Sequence, residues 1–107
     1  MYRTRVKRDG NHAAIVAALE KAGATVLDLA AVGGGAPDIL VGFRGVNTLI
    51  EIKDPSQSKR DTKLRDNQVE WHDAWKGRKP AVAMTPEAAL VIIGVRPHGL
   101  GIDGGDG

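Results

Sequence analysis

Apolar residues first recur at helical spacing in Ile15, Ala18, Leu19 and Ala22, behind an Asp9-Gly10-Asn11 segment whose side chains suit a helix start. The pattern predicts a helix of about three turns, stopped at Gly23. Short and β-branched residues follow, and Thr25-Val26-Leu27-Asp28-Leu29 predicts a strand closed by Gly33-Gly34-Gly35. Two further strands, Asp38 to Phe43 and Thr48 to Lys53, flank Arg44-Gly45-Val46-Asn47, so they predict a hairpin. From Asp54 to Asp66 the chain is polar, contains Pro55 and has no apolar period, which predicts an exposed, mobile loop. Helical spacing returns from Leu64 to Trp75 and ends at Gly77. Pro80 to Met84 predicts a fourth strand, and Thr85-Pro86-Glu87 opens a last helix through Ile93.

Helix, three strands, helix, strand, helix is the order of an α/β layer architecture around one mixed sheet. At 107 residues the chain has the size of one domain. Residues 1–10 form a basic extension, 11–96 the folded unit, and 97–107 a Gly-rich tail expected to fray.

Hydrophobic residues at 42% and charged residues at 26% exclude disorder for the chain as a whole. Aromatics are scarce (Tyr2, Phe43, Trp71, Trp75), so the core must be aliphatic. The absence of cysteine excludes disulfide scaffolds, zinc ribbons, iron–sulfur clusters and thiol nucleophiles. No apolar run approaches the roughly 20 residues of a membrane helix, and no signal-peptide pattern follows the basic start. A soluble, cytoplasmic protein is expected. Net charge is only +2, yet the cations cluster: Arg3, Arg5, Lys7 and Arg8, then Lys59, Arg60, Lys63 and Arg65, then Lys76, Arg78 and Lys79. Such clusters suit a polyanionic partner, although solvated surface charge is an equally ordinary explanation.

The chemistry concentrates in Leu49-Ile50-Glu51-Ile52-Lys53. Alternation along a strand sends Glu51 and Lys53 to one face and Ile50 and Ile52 to the other. Asp38 starts the neighbouring strand, where ordinary register can bring its carboxylate near Glu51. Two crowded anions need a cation, and Mg²⁺ suits a couple of carboxylates with waters and phosphate. Lys53 could then orient a water or stabilise a phosphate under attack, which implies phosphodiester hydrolysis. A plain surface ion pair is the alternative. Gln68 shares a helical stripe with Leu64, Trp71 and Trp75, so its amide needs a partner, in an active site or on nearby backbone. The loop carrying Lys59, Arg60, Lys63 and Arg65 leaves the same strand and could grip a DNA backbone. Gly33, Gly34 and Gly35 could approach a phosphate or simply turn the chain. His12, His72 and His98 lack metal-ligand spacing and are expected at surface or boundary positions, and Trp71 and Trp75 in the core or at a dimer seam.

The N-terminal helix, Gly35-Ala36-Pro37-Asp38, Glu51-Ile52-Lys53, Gln68 and the strand ending at Met84 together resemble the PD-(D/E)XK nuclease superfamily. From Asn11 to Gly94 the chain is similar to its small VRR-NUC branch, found in phages and bacteria and related to Holliday-junction resolvases. The resemblance implies a restriction-endonuclease-like αβββαβ core, with Asp38, Glu51 and the Ile52 carbonyl as metal ligands. It also implies Lys53 as the catalytic lysine, Gln68 in the active site, and Mg²⁺ as cofactor with Mn²⁺ able to substitute. The expected activity is metal-dependent endonucleolytic cleavage of DNA, of branched or flapped form, by a homodimer in a bacterial host's cytoplasm. A non-catalytic nucleic-acid-binding module, or a subunit of a larger nuclease assembly, would keep the same fold. One departure stands out: many relatives carry a Glu on the first helix that helps to hold metal, where this chain has Asn11. Asn11 would then be an uncharged accessory to a two-carboxylate site that binds metal more weakly, or only a helix cap.

Overall fold

Helix α1 (His12–Lys21) forms where small and apolar residues follow Asn11, and it buries Ile15 and Leu19, one turn apart, completely. It ends in a Schellman arrangement: Gly23, at φ 102°, donates to the Glu20 carbonyl while Ala24 donates to that of Leu19. The start differs from the expectation. Asn11 occupies the cap position but makes no capping bond, because its amide is engaged elsewhere in the fold. The computed structural model describes residues 10–57 and 62–96. The expected basic extension (apart from Gly10), the 97–107 tail, Lys59, Arg60 and His98 lie outside those residues.

Strands β1 (Thr25–Asp28), β2 (Ile39–Phe43) and β3 (Val46–Ile52) make an antiparallel meander, and β4 (Ala81–Ala83) joins β3 in parallel. The sheet is therefore mixed, in the order β1-β2-β3-β4. The hairpin loop is shorter than the sequence suggests. Phe43 pairs with Val46, so only Arg44 and Gly45 turn the chain, both at positive φ (51° and 79°). The Arg44 guanidinium lies 4.7 Å from the Phe43 ring centre, a cation–π contact at this uncommon backbone geometry.

Strand alternation divides the sheet into two unlike faces. Ile39, Val41, Ile50, Ile52 and Ala83 point to the face covered by α1 and by α3 (Pro86–Ile92), where they form the core with Ile15, Leu19, Ala24 and Ala89. Full burial of each Ile or Leu contributes about 1.5–3 kcal/mol. Helix α3 is anchored by Thr85, whose side chain accepts the Ala88 N–H at 3.0 Å, with Pro86 in the first turn. The opposite face carries Leu27, Leu40, Leu49 and Val82 together with Asp38, Glu51 and Lys53.

The crossover from β3 to β4 holds α2 (Asp66–Ala74). Its buried residues are Gln68 and His72, one turn apart. This corrects the predicted stripe: Leu64 precedes the helix, Trp71 is half-buried, and Trp75 is exposed just beyond the last turn. The two tryptophans stack on each other, 4.8 Å apart, rather than entering the core. Lys79 ends the helix by donating to the Asp73 and Trp75 carbonyls. The glycine run is a turn whose last member has a packing role. A Cβ on Gly35, at φ 92°, would stand 2.3 Å from the Asn67 carbonyl oxygen, so the close approach is to α2 backbone and needs no phosphate.

Candidate active site

Register places the candidate residues. Ile39 pairs with Ile50, so Asp38 stands opposite Glu51 one step further along, and its own N–H donates to the Ile50 carbonyl at 3.1 Å. Period-two alternation puts Asp38, Glu51 and Lys53 on the same face. The structure thus brings together the two carboxylates and the lysine that the sequence nominated.

Glu51 and Lys53 are not a surface pair, being 3% and 4% exposed. Burial of two charges without partners would cost several kcal/mol each, and Gln68 resolves this. Its Nε2 donates to Glu51 Oε2 at 2.9 Å, while its Oε1 accepts Lys53 Nζ at 3.0 Å and the Arg65 backbone N–H at 2.8 Å. Lys53 Nζ also lies 3.7 Å from Glu51 Oε2, closing the triangle. The two donors on Oε1 fix which way the amide points, so α2 clamps the pair in one geometry. Asp38 Oδ2 accepts the Ile52 N–H at 2.7 Å, which orients that carboxylate against β3.

The chain beyond Lys53 does not immediately become an exposed loop. The Lys53 N–H donates to the Ala83 carbonyl, extending the link to β4. Asp54, expected in solvent, is buried. Its Oδ1 accepts the Ser56 N–H at 2.9 Å and hydroxyl at 2.7 Å, and its Oδ2 accepts the Gly10 N–H at 3.1 Å. The donors of Ser56 foremost, then that of Gly10, hold this carboxyl below the usual carboxylate range against the opposing effect of burial. Asn11 reaches the same place: its Nδ2 donates to the Lys53 carbonyl at 3.0 Å and also to the Met84 carbonyl. Held there by its nitrogen, the side chain leaves Oδ1, the atom that would accept a cap bond, buried and without a hydrogen-bond partner among the described residues.

Two histidines expected at the surface or a boundary are buried instead. His12 lies 3.6 Å from Asp28 Oδ2 under the sheet. His72 shares the inner side of α2 with Gln68, and its Nε2 has no hydrogen-bond partner among the described residues. Burial holds its pKa below the ordinary value; the Lys53 charge adds to the effect and Asp73 opposes it. Of the predicted DNA-contacting cations, Lys63 and Arg65 are exposed between β3 and α2. The roles of Asn11 at Lys53, of Asp54 and of His72 were missed in the sequence. Only Asp54-Pro55-Ser56 carries a readable signal, that of a side chain bonding its backbone two residues on.

No family model and no curated protein matches the sequence. Among solved structures, a VRR_NUC domain superposes with a TM-score of 0.59 at 25% identity, covering 77% of this chain and 88% of that one. The chain has a VRR-NUC-like nuclease fold. The agreement takes in the single α/β domain and its four-stranded mixed sheet. No helix of the described part of this VRR-NUC-like chain is long and apolar enough to cross a membrane.

Asp38 and Glu51 stand at facing register positions on one sheet face, and carboxylate oxygen is the donor type that a small, hard divalent cation takes. Among the described residues no group of three or more His, Cys, Asp or Glu side chains converges. Mg²⁺ does not require one, since it takes one or two carboxylates and keeps several waters. Two carboxylates at facing positions on one sheet face, with a lysine beside them, are such a donor set in this VRR-NUC-like fold.

Proposed function

We propose that this chain is a divalent-metal-dependent DNA endonuclease that hydrolyses phosphodiester bonds. The observation that carries the reading is the buried Glu51–Gln68–Lys53 triangle, set on one face with Asp38 within a VRR-NUC-like fold. Asp38, Glu51 and the Ile52 carbonyl would hold Mg²⁺, with Mn²⁺ able to replace it. The ion, when bound, supplies Lewis-acid polarisation of a phosphate oxygen and lowers the pKa of a coordinated water. Lys53 provides a fixed positive charge for the phosphate and a donor to orient the attacking water. Gln68 holds the ammonium in place. Lys59, Arg60, Lys63 and Arg65 supply backbone contacts that carry no base preference.

Branched or flapped DNA is the expected substrate, and two copies acting on two strands the expected assembly. The test is incubation of the purified protein with Mg²⁺ or Mn²⁺ and a panel of junction, flap, duplex and single-stranded DNAs, with light scattering under the same conditions. Metal-dependent cleavage that is lost on chelation supports the reading. Binding of DNA with no cleavage of any member would replace it with that of a non-catalytic nucleic-acid-binding module, and cleavage in excess chelator would overturn the metal's role.

A further inference from the structure

Lys53 lies one residue beyond the end of β3, where a chain leaving a sheet ordinarily loosens. Here its backbone is held on both sides. Its N–H donates to Ala83 of β4, and its carbonyl accepts Asn11 Nδ2 at 3.0 Å. The second hydrogen of the same amide goes to the Met84 carbonyl, the residue just past β4. One side chain from the start of α1 thus ties together the ends of both strands. A second tie lies alongside, where the Gly10 N–H donates to Asp54 Oδ2. Gly10 must approach closely for this, since a Cβ there would stand 2.9 Å from that oxygen.

We infer that Asn11 is a positioning residue for Lys53, a clasp that fixes the lysine's backbone so that its ammonium stays aimed at Gln68 and the carboxylates. The inference rests on the nuclease reading for its catalytic consequence but not for the clasp itself. An uncharged residue suits the position for a physical reason. Two carbonyl oxygens converge on the amide nitrogen, and only a group with two donor hydrogens satisfies both. A carboxylate there would present oxygen to oxygen and open the clasp. The role differs from that of a metal ligand, which would use the side-chain oxygen.

Asn11→Asp and Asn11→Leu test this, at a temperature where circular dichroism shows both variants folded. By NMR, amide exchange at Lys53 should quicken at least about tenfold in both variants while the core amide of Ile50 is unchanged, and the Lys53 side-chain resonances should shift. On whichever DNA the wild type cleaves, kcat should fall about tenfold or more, with KM for DNA and the Mg²⁺ concentration for half-maximal rate within about twofold of wild type. Unchanged exchange at Lys53 overturns the clasp. Faster exchange with unchanged kcat overturns its positioning role, and recovery of kcat at saturating Mg²⁺ overturns it in favour of a metal-side role. A wild type inactive on every DNA while the exchange result holds would defeat the nuclease reading and leave the clasp standing.

Discussion

Lys53 Nζ and Glu51 Oε2 are 3.7 Å apart, yet each makes its shorter contact with the amide of Gln68, at 3.0 and 2.9 Å. The amide works as a bridge, donating to the anion and accepting from the cation, so each charge has a hydrogen-bond partner. Gln68→Leu would keep the bulk and remove both of these bonds together with the one from the Arg65 N–H. Stability should fall by about 1–3 kcal/mol, read by thermal melting, and DNA cleavage should fall with it even below the melting range. A variant that melts and cleaves like wild type would show the triangle to be incidental.

The carboxylates and the lysine should separate in their effects. Asp38→Asn and Glu51→Gln should each abolish cleavage with the fold retained by circular dichroism, because each removes ligand charge from a two-carboxylate site. Lys53→Met keeps the apolar stem and should lose turnover while calorimetry still registers metal binding. If metal affinity collapses with Lys53 as it does with Asp38, the division of roles is wrong.

Much of this arrangement was legible in the sequence because strand alternation is strict. Once Thr48 to Lys53 reads as a strand, Glu51 and Lys53 must share a face, and a hairpin to Asp38 sets the opposing carboxylate. Gln68 was legible too, as a polar residue on the inner side of a helix. The rest depended on contacts between distant segments. Asn11 resembles an ordinary cap until β4 delivers the Met84 carbonyl to it, and Asp54 reads as loop until Gly10 arrives. Trp71 and Trp75 mislead because α2 ends at Ala74: Gln68 and His72 are its buried residues, Trp71 is half-buried, and Trp75 leaves the stripe in extended backbone beyond the last turn.

Gly35 should tolerate no side chain. Its φ of 92° disfavours any L residue, and the added methyl of Gly35→Ala would meet the Asn67 carbonyl. The loop and the first turn of α2 must then separate, which carries Gln68 away from Glu51. We expect a loss of about 2 kcal/mol or more and a larger proportional loss of cleavage than Gly34→Ala, whose Cβ meets nothing within 4 Å. Equal effects at the two glycines would mean that backbone strain alone matters.

Neutralising Lys59, Arg60, Lys63 and Arg65 together should weaken DNA binding at low salt and flatten its dependence on salt concentration, since fewer counterions are displaced. Affinity measured by fluorescence anisotropy across a salt series reads this directly. A slope equal to wild type would make the segment an ordinary connection between β3 and α2.

The buried imidazole of His72 links stability to pH. Burial lowers its pKa in the native state, so in the unfolded chain, where the ordinary value of about 6.5 applies, the residue takes up a proton that the native protein resists. The unfolded state binds more protons in that interval, and stability therefore rises with pH across it. The contribution is intact above about pH 6.5, shrinks as pH falls toward the depressed native value, and levels off below it. Asp54 adds a similar loss only in the acid range, because its lowered pKa is referred to an ordinary value of 3.8. Melting temperature recorded between about pH 8 and 5 should decline on the acid side in wild type. It should decline less in His72→Phe, which fills the same space without a titrating group. Parallel curves for the two proteins would assign the acid loss to some other residue and leave His72 a neutral filler beneath the active site.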